Sequence, residues 1–188
     1  MRVHQEDACQ ALAVHPRRKY QNEGGPGPKE IVRLLREHSA RPQEDVASFV
    51  DALVFNWLIG GTDAHAKNYS LLHQPGGLPR LAPLYDLASA LPYPDMDPRR
   101  IGLAMKVGSE YRLHNIRRRH WEELASDLRV DVEATLARAA DMAEQLGPAA
   151  AAVRNELVAD GIAHAIVPAL AEQLAARAER CVRTLARK

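Results

Sequence analysis

The sequence predicts a mainly α-helical fold with one short β-hairpin, and three observations lead to this prediction. Apolar residues from Val46 to Leu58 recur at spacings of three and four, which is the pattern of one buried helix face. From Asp131 onward the chain is rich in alanine and keeps a helical period. Between these regions, the sequence QPGG at 74–77 separates two short apolar runs, which is the pattern of a hairpin.

The composition is that of an ordinary globular protein. The 188 residues are 46% hydrophobic and 26% charged, which suits one soluble domain. The formal net charge of +1 argues neither for nor against a nucleic-acid partner. The sequence contains no apolar run of the roughly 20 residues that a membrane helix needs, and its first residues do not form the apolar core of a signal peptide. Two isolated cysteines, Cys9 and Cys181, are typical of reduced thiols in a cytoplasmic protein.

Residues 1–42 are predicted to form leading helices and a turn. A short helix is expected within 1–12, because acidic residues would favour its first turn electrostatically. The sequence GGPG at 24–27 indicates a turn, and Pro28 suits the first position of a helix at 29–38.

Residues 43–90 are predicted to be the functional core. A buried helix at 43–59 ends at two glycines, because glycine accepts the left-handed conformation of a helix C-terminus. The polar loop that follows carries Asp63 and Asn68 at the end of a rigid element, a usual place for chemistry. The hairpin then returns the chain, so we expect Asp86 to lie beside the two loop residues.

This residue set suits phosphoryl transfer. That reaction needs a carboxylate to receive the proton of the nucleophile, and oxygen ligands for magnesium on the nucleotide phosphates. A loop Asp63, then Asn68, then Asp86 follow the order of the catalytic residues in protein kinases. Aspartate and asparagine are hard oxygen donors, and no H-x-x-x-H or C-x-x-C pattern supports zinc or iron instead. Structural alternatives stay open. Asp63 could be an N-cap or a turn residue, Asn68 could be a turn residue, and Asp86 could be a helix N-cap.

Several stretches of the sequence resemble one family. The stretches FNWLIGGTDAHAKNYSLL and LAPLYDLASA closely resemble the HipA family of bacterial toxin kinases, as do HQEDACQAL, KYQNEGGPG and LAMKVG. These stretches follow the family order between Gln5 and Val107. The resemblance implies a serine/threonine protein kinase that uses ATP and magnesium, and it implies that residues 1–188 are the C-terminal lobe of a protein-kinase-like α+β fold.

Within this resemblance, three residues take the central roles. Asp63 is interpreted as the catalytic base that orients and deprotonates an incoming serine hydroxyl. Asn68 is interpreted as a magnesium ligand through its amide oxygen. Asp86 is interpreted as the main magnesium ligand, which would bridge the nucleotide phosphates.

Three further residues are predicted to lie on the cofactor side. Lys67 would neutralise the γ-phosphate, or it is a solvated loop lysine. His65 would contact the nucleotide, or it is a structural histidine inside the loop. Tyr85 would pack near the metal site. The sequence has no H-R-D and no D-F-G, so the usual activation-loop switch of protein kinases is not expected.

The N-terminal nucleotide lobe of the family is expected to be absent. The phosphate-binding loop, the phosphate-binding lysine and the hinge of the family lie upstream of the matched stretches. The glycines at 24–27 do not replace them, because they lack a preceding strand and the spacing of a phosphate loop. We therefore expect the isolated chain to be impaired, and a separately encoded lobe is one way to complete it.

Residues 91–188 are predicted to be an irregular segment followed by a helical bundle. Asp131 is a suitable N-cap, Gly147-Pro148 is expected to break a helix, and Pro168 suits the first turn of the last helix. The predicted elements are an irregular stretch at 91–97, an extended segment at 101–107, and helices at 132–146, 149–160 and 169–187.

The basic run from Arg117 to His120 allows two interpretations. Three consecutive arginines can hold phosphate, so a weak or indirect DNA contact is one of them. The other is a solvated helix start.

Two classes of function follow. The first is a HipA-type toxin kinase of a toxin–antitoxin module linked to persistence. The resemblance then implies a protein serine as substrate, in a target such as a tRNA synthetase, and a HipB-like DNA-binding antitoxin as partner. The second is a catalytically impaired remnant or split-kinase subunit that acts as a partner-binding module.

Overall fold

A computed structural model describes residues 3–93, 95–97 and 99–187. The described residues form a mainly helical fold with two small antiparallel sheets, which confirms the fold class expected from the sequence pattern. The strands are β1 (His4–Asp7), β2 (Ser70–His73), β3 (Arg80–Leu81), β4 (Gly102–Val107) and β5 (Glu110–Arg112). The helices are α1 (Ala8–Ala11), α2 (Pro28–His38), α3 (Pro42–Ile59), α4 (Arg118–Leu128), α5 (Val132–Ala159) and α6 (Ile166–Ala186), and short 3₁₀ turns lie at Pro16–Arg18, Gln21–Glu23 and Ala66–Asn68.

Helix α3 is the centre of the core, as its apolar pattern predicts. Phe49 and Leu58 are fully buried, and helices α2, α5 and α6 all pack against this helix. Trp57 meets Trp121 of α4 in an edge-on contact, with the ring centroids 5.4 Å apart. Such aromatic pairs bury a large apolar area in a fixed geometry. Helix α3 therefore presents a rigid C-terminus to the polar loop that follows it.

The amino-terminal segment differs from the helix predicted within residues 1–12. His4 to Asp7 form a strand that pairs antiparallel with β2, with His4 opposite His73 and Asp7 opposite Ser70. The helix is only α1, and Asp7 is its N-cap, because its carboxylate accepts from the Gln10 N–H. The backbone groups of β2 pair with one edge of this segment, which outweighs its weak tendency to start a helix.

The predicted hairpin is confirmed. Strands β2 and β3 pair antiparallel with Leu71 opposite Leu81. An ion pair between the buried Asp45 and the partly exposed Arg80 fixes β3 to helix α3, since Arg80 Nη2 lies 2.8 Å from Asp45 Oδ1 and the Leu81 N–H donates to Asp45 Oδ2. Burial alone would raise the pKa of Asp45, but hydrogen bonds from Arg80, Ser39 and the Leu81 N–H lower it. Asp45 is therefore a charged clamp between the hairpin and the central helix.

The predicted break at Gly147-Pro148 is wrong, because α5 runs without interruption through both residues. Pro148 removes one N–H from the helix. Close packing with α6 compensates for that loss, since a Cβ built on Gly147 would lie 3.7 Å from the Cα of Ala175. The predicted N-cap is confirmed, because Asp131 Oδ1 accepts from the Ala134 N–H at 2.7 Å.

Helix α6 begins three residues before its predicted start at 169 and has Pro168 in its first turn, as expected. The extended segment predicted at 101–107 is strand β4. No described residue of the irregular stretch 91–97 lies in a helix or strand, and Pro94 is outside the described residues.

Among the described residues, no helix is both long enough and apolar enough to cross a bilayer.

Candidate active site

The polar loop leaves helix α3 by a sharp turn. Gly60 has φ of 67°, the left-handed conformation that glycine accepts without strain, and it ends the helix as the sequence predicts. Gly61 follows in a place where a Cβ would approach Asn56 Oδ1 to 2.3 Å, so no larger residue fits. The two glycines therefore fix the direction in which the loop begins.

A residue that the sequence analysis missed holds this helix end from behind. Arg177 of α6 is only 7% exposed, and its guanidinium donates to the Trp57 and Leu58 carbonyl oxygens. These carbonyls belong to the last turn of α3, which lacks intrahelical donors. Burial lowers the pKa of Arg177, yet its normal value is so high that the group stays charged. No local signal marks this residue, because its partners lie more than a hundred positions earlier.

Asp63 is exposed, and its side chain contacts a tyrosine from the leading segment. The Tyr20 hydroxyl donates to Asp63 Oδ1 at 2.6 Å. This hydrogen bond, followed by burial and the charge of Asp63, raises the pKa of Tyr20 to about 12. Tyr20 therefore stays protonated and keeps donating to the carboxylate. Tyr20 lies in the stretch KYQNEGGPG, and no local sequence pattern indicates a role for it.

His65 lies inside the loop. Its backbone N–H donates to the Asp63 carbonyl at 2.9 Å, and its backbone carbonyl accepts from the Asn68 N–H at 2.9 Å. The ring is buried and meets the Tyr20 ring edge-on at 5.1 Å. Burial, followed by the charge of Lys19, lowers the pKa of His65, so the imidazole is neutral at pH 7. This placement favours the structural interpretation of His65, and a nucleotide contact stays a prediction.

Asn68 and Asp86 lie in direct contact, which confirms this part of the hairpin prediction. Among the described residues, no side-chain hydrogen bond joins Asp63 to either of them. Asn68 Nδ2 donates to Asp86 Oδ2 at 2.6 Å. Asn68 is 5% exposed at the end of the 3₁₀ turn Ala66–Asn68, whereas Asp86 is exposed. Asp86 has φ of 58°, a strained conformation for a residue with a Cβ. The alternative of a helix N-cap is wrong, because residues 87–90 form no helix.

Tyr85 fixes the chain next to Asp86. Its hydroxyl donates to the Lys67 carbonyl at 2.6 Å and lies 2.6 Å from Ser70 Oγ. The Lys67 side chain is half-buried, and no described carboxylate forms an ion pair with it. Tyr85 thus joins the return segment to the loop, beside the metal-binding atoms that the sequence predicts.

The oxygen atoms of this pair fit magnesium. Within the described part of the chain, no hydrogen bond engages Asn68 Oδ1 or Asp86 Oδ1. Both are hard donors, and Mg²⁺ in nucleotide sites usually takes one or two protein oxygens together with phosphate and water. The described residues contain no group of three or more His, Cys, Asp or Glu that could hold a metal ion. A magnesium ion at this pair would take its remaining ligands from phosphate and water.

Comparisons with known proteins agree on one family. The model of the HipA-like C-terminal domain matches residues 1–153. The chain is 39% identical over 178 residues to Y4mE of Sinorhizobium fredii, which is named as a kinase. This match covers 95% of this chain and 41% of that protein. The chain is 35% identical over 123 residues to the serine/threonine-protein kinase toxin HipA of Shewanella oneidensis, covering 59% of this chain and 27% of that protein.

A solved structure gives the same result for the fold. The complex of Shewanella oneidensis HipA with HipB and operator DNA contains a chain that matches with a TM-score of 0.84 and 25% identity. The match covers 98% of this chain and 45% of that chain. The fold therefore corresponds to a kinase-like C-terminal lobe. The chain spans about two fifths or less of the length of the curated relatives that it matches.

Proposed function

The chain belongs to the HipA-like C-terminal domain family, and on that basis we propose that it is the catalytic C-terminal lobe of a serine/threonine protein kinase of HipA toxin type. The observation that carries this proposal is the contact between Asn68 and Asp86, which brings two magnesium-type oxygen donors together beside the loop of Asp63. The substrate would be a protein serine, and the phosphate donor would be ATP.

Asp63 is proposed as the catalytic base. It is exposed, and its Oδ1 already accepts a hydrogen bond from a hydroxyl group, that of Tyr20. A serine hydroxyl in the same position would be oriented by the carboxylate and would pass its proton to it as the phosphoryl group transfers.

Asn68 and Asp86 are proposed to hold Mg²⁺ through their amide and carboxylate oxygens. The ion would neutralise charge that develops on the phosphoryl oxygens. Lys67 is proposed to add positive charge on the same side. Tyr85 would position Asp86, because its hydrogen bond to the Lys67 carbonyl fixes the neighbouring backbone. His65 would shape the loop and contact the nucleotide at its edge.

The partners are proposed from the relatives. The solved complex of the Shewanella protein contains HipB and operator DNA, and we propose a HipB-like antitoxin as partner here. We propose a protein target of tRNA-synthetase type as substrate.

Any DNA contact is proposed to be indirect, through the antitoxin. The basic run is largely occupied within the protein, since Arg117 donates to the His114 and Ile116 carbonyls and Arg118 binds Glu122 at 2.7 Å. This arrangement favours the helix-start interpretation of the run.

A second candidate is a partner-binding lobe without activity of its own. The turn at 24–27 favours it, because Gly24 only ends the 3₁₀ turn Gln21–Glu23, and no strand leads into it as in a phosphate loop. In this case the lobe would bind a partner and leave phosphoryl transfer to another protein.

Transfer of γ-labelled phosphate tests the proposal. The chain would be assayed with a HipA-type amino-terminal lobe supplied in trans, as wild type, Asp63→Asn and Asp141→Asn. Asp141 is an exposed carboxylate on α5 and serves as the matched control. Loss of a general base is expected to slow transfer by roughly 10²–10⁴-fold, while Asp141→Asn keeps the wild-type rate. Undiminished transfer by Asp63→Asn would remove the base assignment, and no transfer by the wild type would favour the second candidate.

A further inference from the structure

A cavity of about 400 Å³ lies beside the Asp63 loop, on the face formed by the Gln21–Glu23 turn and strand β4. We name it the acceptor cavity. Its walls are two tyrosine rings, small residues of β4 and polar side chains of the turn. The residues that line it and enter the argument are Tyr20, Asn22, Thr62, Gly102, Ala104 and Tyr111.

The acceptor cavity is lined by two residues that adjoin the proposed catalytic base, although Asp63 itself does not line it. Thr62 precedes Asp63 in the chain, and Tyr20 donates its hydroxyl hydrogen bond to Asp63 Oδ1. Neither Asn68 nor Asp86 lines the cavity. The base therefore has the cavity on one side, while the magnesium-type donors belong to a separate set of contacts.

We propose that the acceptor cavity binds the polypeptide segment that carries the acceptor serine, and that the Tyr20 hydroxyl occupies the place of the serine hydroxyl until that segment displaces it. This inference rests on the proposed function. It adds the location of the acceptor and a side chain, that of Tyr20, with which the acceptor competes.

The chemistry of the reaction supports the place assigned to Tyr20. During transfer the acceptor oxygen bonds to the γ-phosphorus, the bond from that phosphorus to the β,γ-bridging oxygen of ATP breaks, and the hydroxyl proton passes to Asp63. The acceptor hydroxyl must therefore donate to Asp63 at hydrogen-bond distance before it reacts. Tyr20 makes that contact at 2.6 Å, so a serine hydroxyl that approaches the same carboxylate oxygen competes with it.

The cavity walls suit an extended polypeptide. Gly102 and Ala104 are small residues on one wall. Tyr20 and Tyr111 form other parts of the lining, and one lysine ammonium lies 5.0 Å from the Tyr20 ring centroid and another lies 5.1 Å from the Tyr111 ring centroid. Further along β4, the Gln21 side chain accepts from the Lys106 N–H at 2.8 Å and thereby occupies the strand edge. Gly102 and Ala104 line the cavity, so an extended segment bound there would lie along this part of β4.

Steady-state kinetics with serine peptides test the inference. The probe is a peptide mixture with one central serine and randomised flanking positions, and the enzyme is the chain with a HipA-type amino-terminal lobe. Asn22→Trp would fill the cavity from its exposed rim, and Gln74→Trp at the exposed hairpin tip is the matched control. We expect the KM for peptide to rise about tenfold or more in Asn22→Trp, with the KM for ATP within about twofold of wild type. The control should leave both constants unchanged.

Tyr20→Phe gives an independent readout. Because the phenyl ring cannot donate to Asp63, the acceptor no longer competes with a hydroxyl, and the KM for peptide is expected to fall while the KM for ATP stays constant. A residue that only supported the fold would instead reduce kcat or stability when altered. Phosphotyrosine at position 20 in the wild type would overturn the inference, because Tyr20 would then be an acceptor.

The proposed function and the acceptor cavity can be disproved by different results. If the wild type transfers phosphate and Asp63→Asn does not, the proposed function stands. If Asn22→Trp and Tyr20→Phe then keep the wild-type KM for peptide, the acceptor cavity alone is disproved. If the wild type transfers no phosphate, the proposed function and this inference fall together.

Discussion

Asn68 Nδ2 donates a 2.6 Å hydrogen bond to Asp86 Oδ2 across 18 positions of sequence. The hairpin between the two residues produces this contact, and the Asp45–Arg80 ion pair fixes that hairpin to the central helix. Two oxygen donors therefore meet where the exposed Asp86 contacts the buried Asn68. The support that the fixed hairpin gives is what a metal-binding pair needs, because small displacements weaken binding and catalysis.

The left-handed backbone conformation of Asp86 predicts a difference in stability between two substitutions at this position. Its φ of 58° costs energy for any residue with a Cβ. Asp86→Gly and Asp86→Ala both lose the carboxylate and its contact with Asn68, so they differ mainly in backbone strain. We expect Asp86→Ala to be less stable than Asp86→Gly by about 1 kcal/mol in urea unfolding. Equal stabilities would show that this conformation carries no strain.

The Asp45 clamp predicts a dependence of stability on pH. The carboxyl is 2% exposed, and its folded pKa is lowered relative to an unfolded value of about 3.9. Its contribution to stability is therefore present above about pH 4 and is lost as the pH falls through the folded pKa. Asp45→Asn is expected to cost about 2–4 kcal/mol at pH 7.

Urea unfolding at a series of pH values measures this effect. The difference in unfolding free energy between wild type and Asp45→Asn should be constant near neutrality and shrink below about pH 4. Asp141→Asn, an exposed carboxylate, serves as the control with little effect at any pH. A difference between wild type and Asp45→Asn that stays the same down to pH 3 would contradict the clamp.

Arg177 connects the last helix to the start of the Asp63 loop. Arg177→Met leaves the Trp57 and Leu58 carbonyls without their donor, and we expect a loss of about 2–3 kcal/mol. Arg180→Met changes an exposed arginine of the same helix and should stay within about 0.5 kcal/mol of wild type. Chemical denaturation measures both variants. Equal effects of the two substitutions would mean that Arg177 does not hold the helix end.

Several parts of the fold follow from sequence patterns because the relevant forces are local. Helix α3 is predictable from its apolar spacing and its glycine end, and the hairpin is predictable from its turn residues. The contact between Asn68 and Asp86 then follows from the return of the chain.

Other parts depend on distant partners and leave no local signal. Strand β1 consists of polar residues and forms only because β2 offers its backbone groups. Helix α5 continues through Pro148 because α6 packs closely along it, against the usual effect of proline. Tyr20 reaches Asp63 across 43 positions, and no pattern near either residue indicates that contact.

Binding of Mn²⁺ with ATP, followed by electron paramagnetic resonance, tests the central claim most directly. Mn²⁺ would replace Mg²⁺ in the chain with a HipA-type amino-terminal lobe, and free Mn²⁺ would be measured for wild type, Asp86→Asn, Asn68→Ala and the control Asp141→Asn. The account predicts that Asp86→Asn and Asn68→Ala weaken binding of the Mn²⁺–ATP complex by about tenfold or more, while Asp141→Asn binds like wild type. Wild-type affinity in both site variants would contradict it.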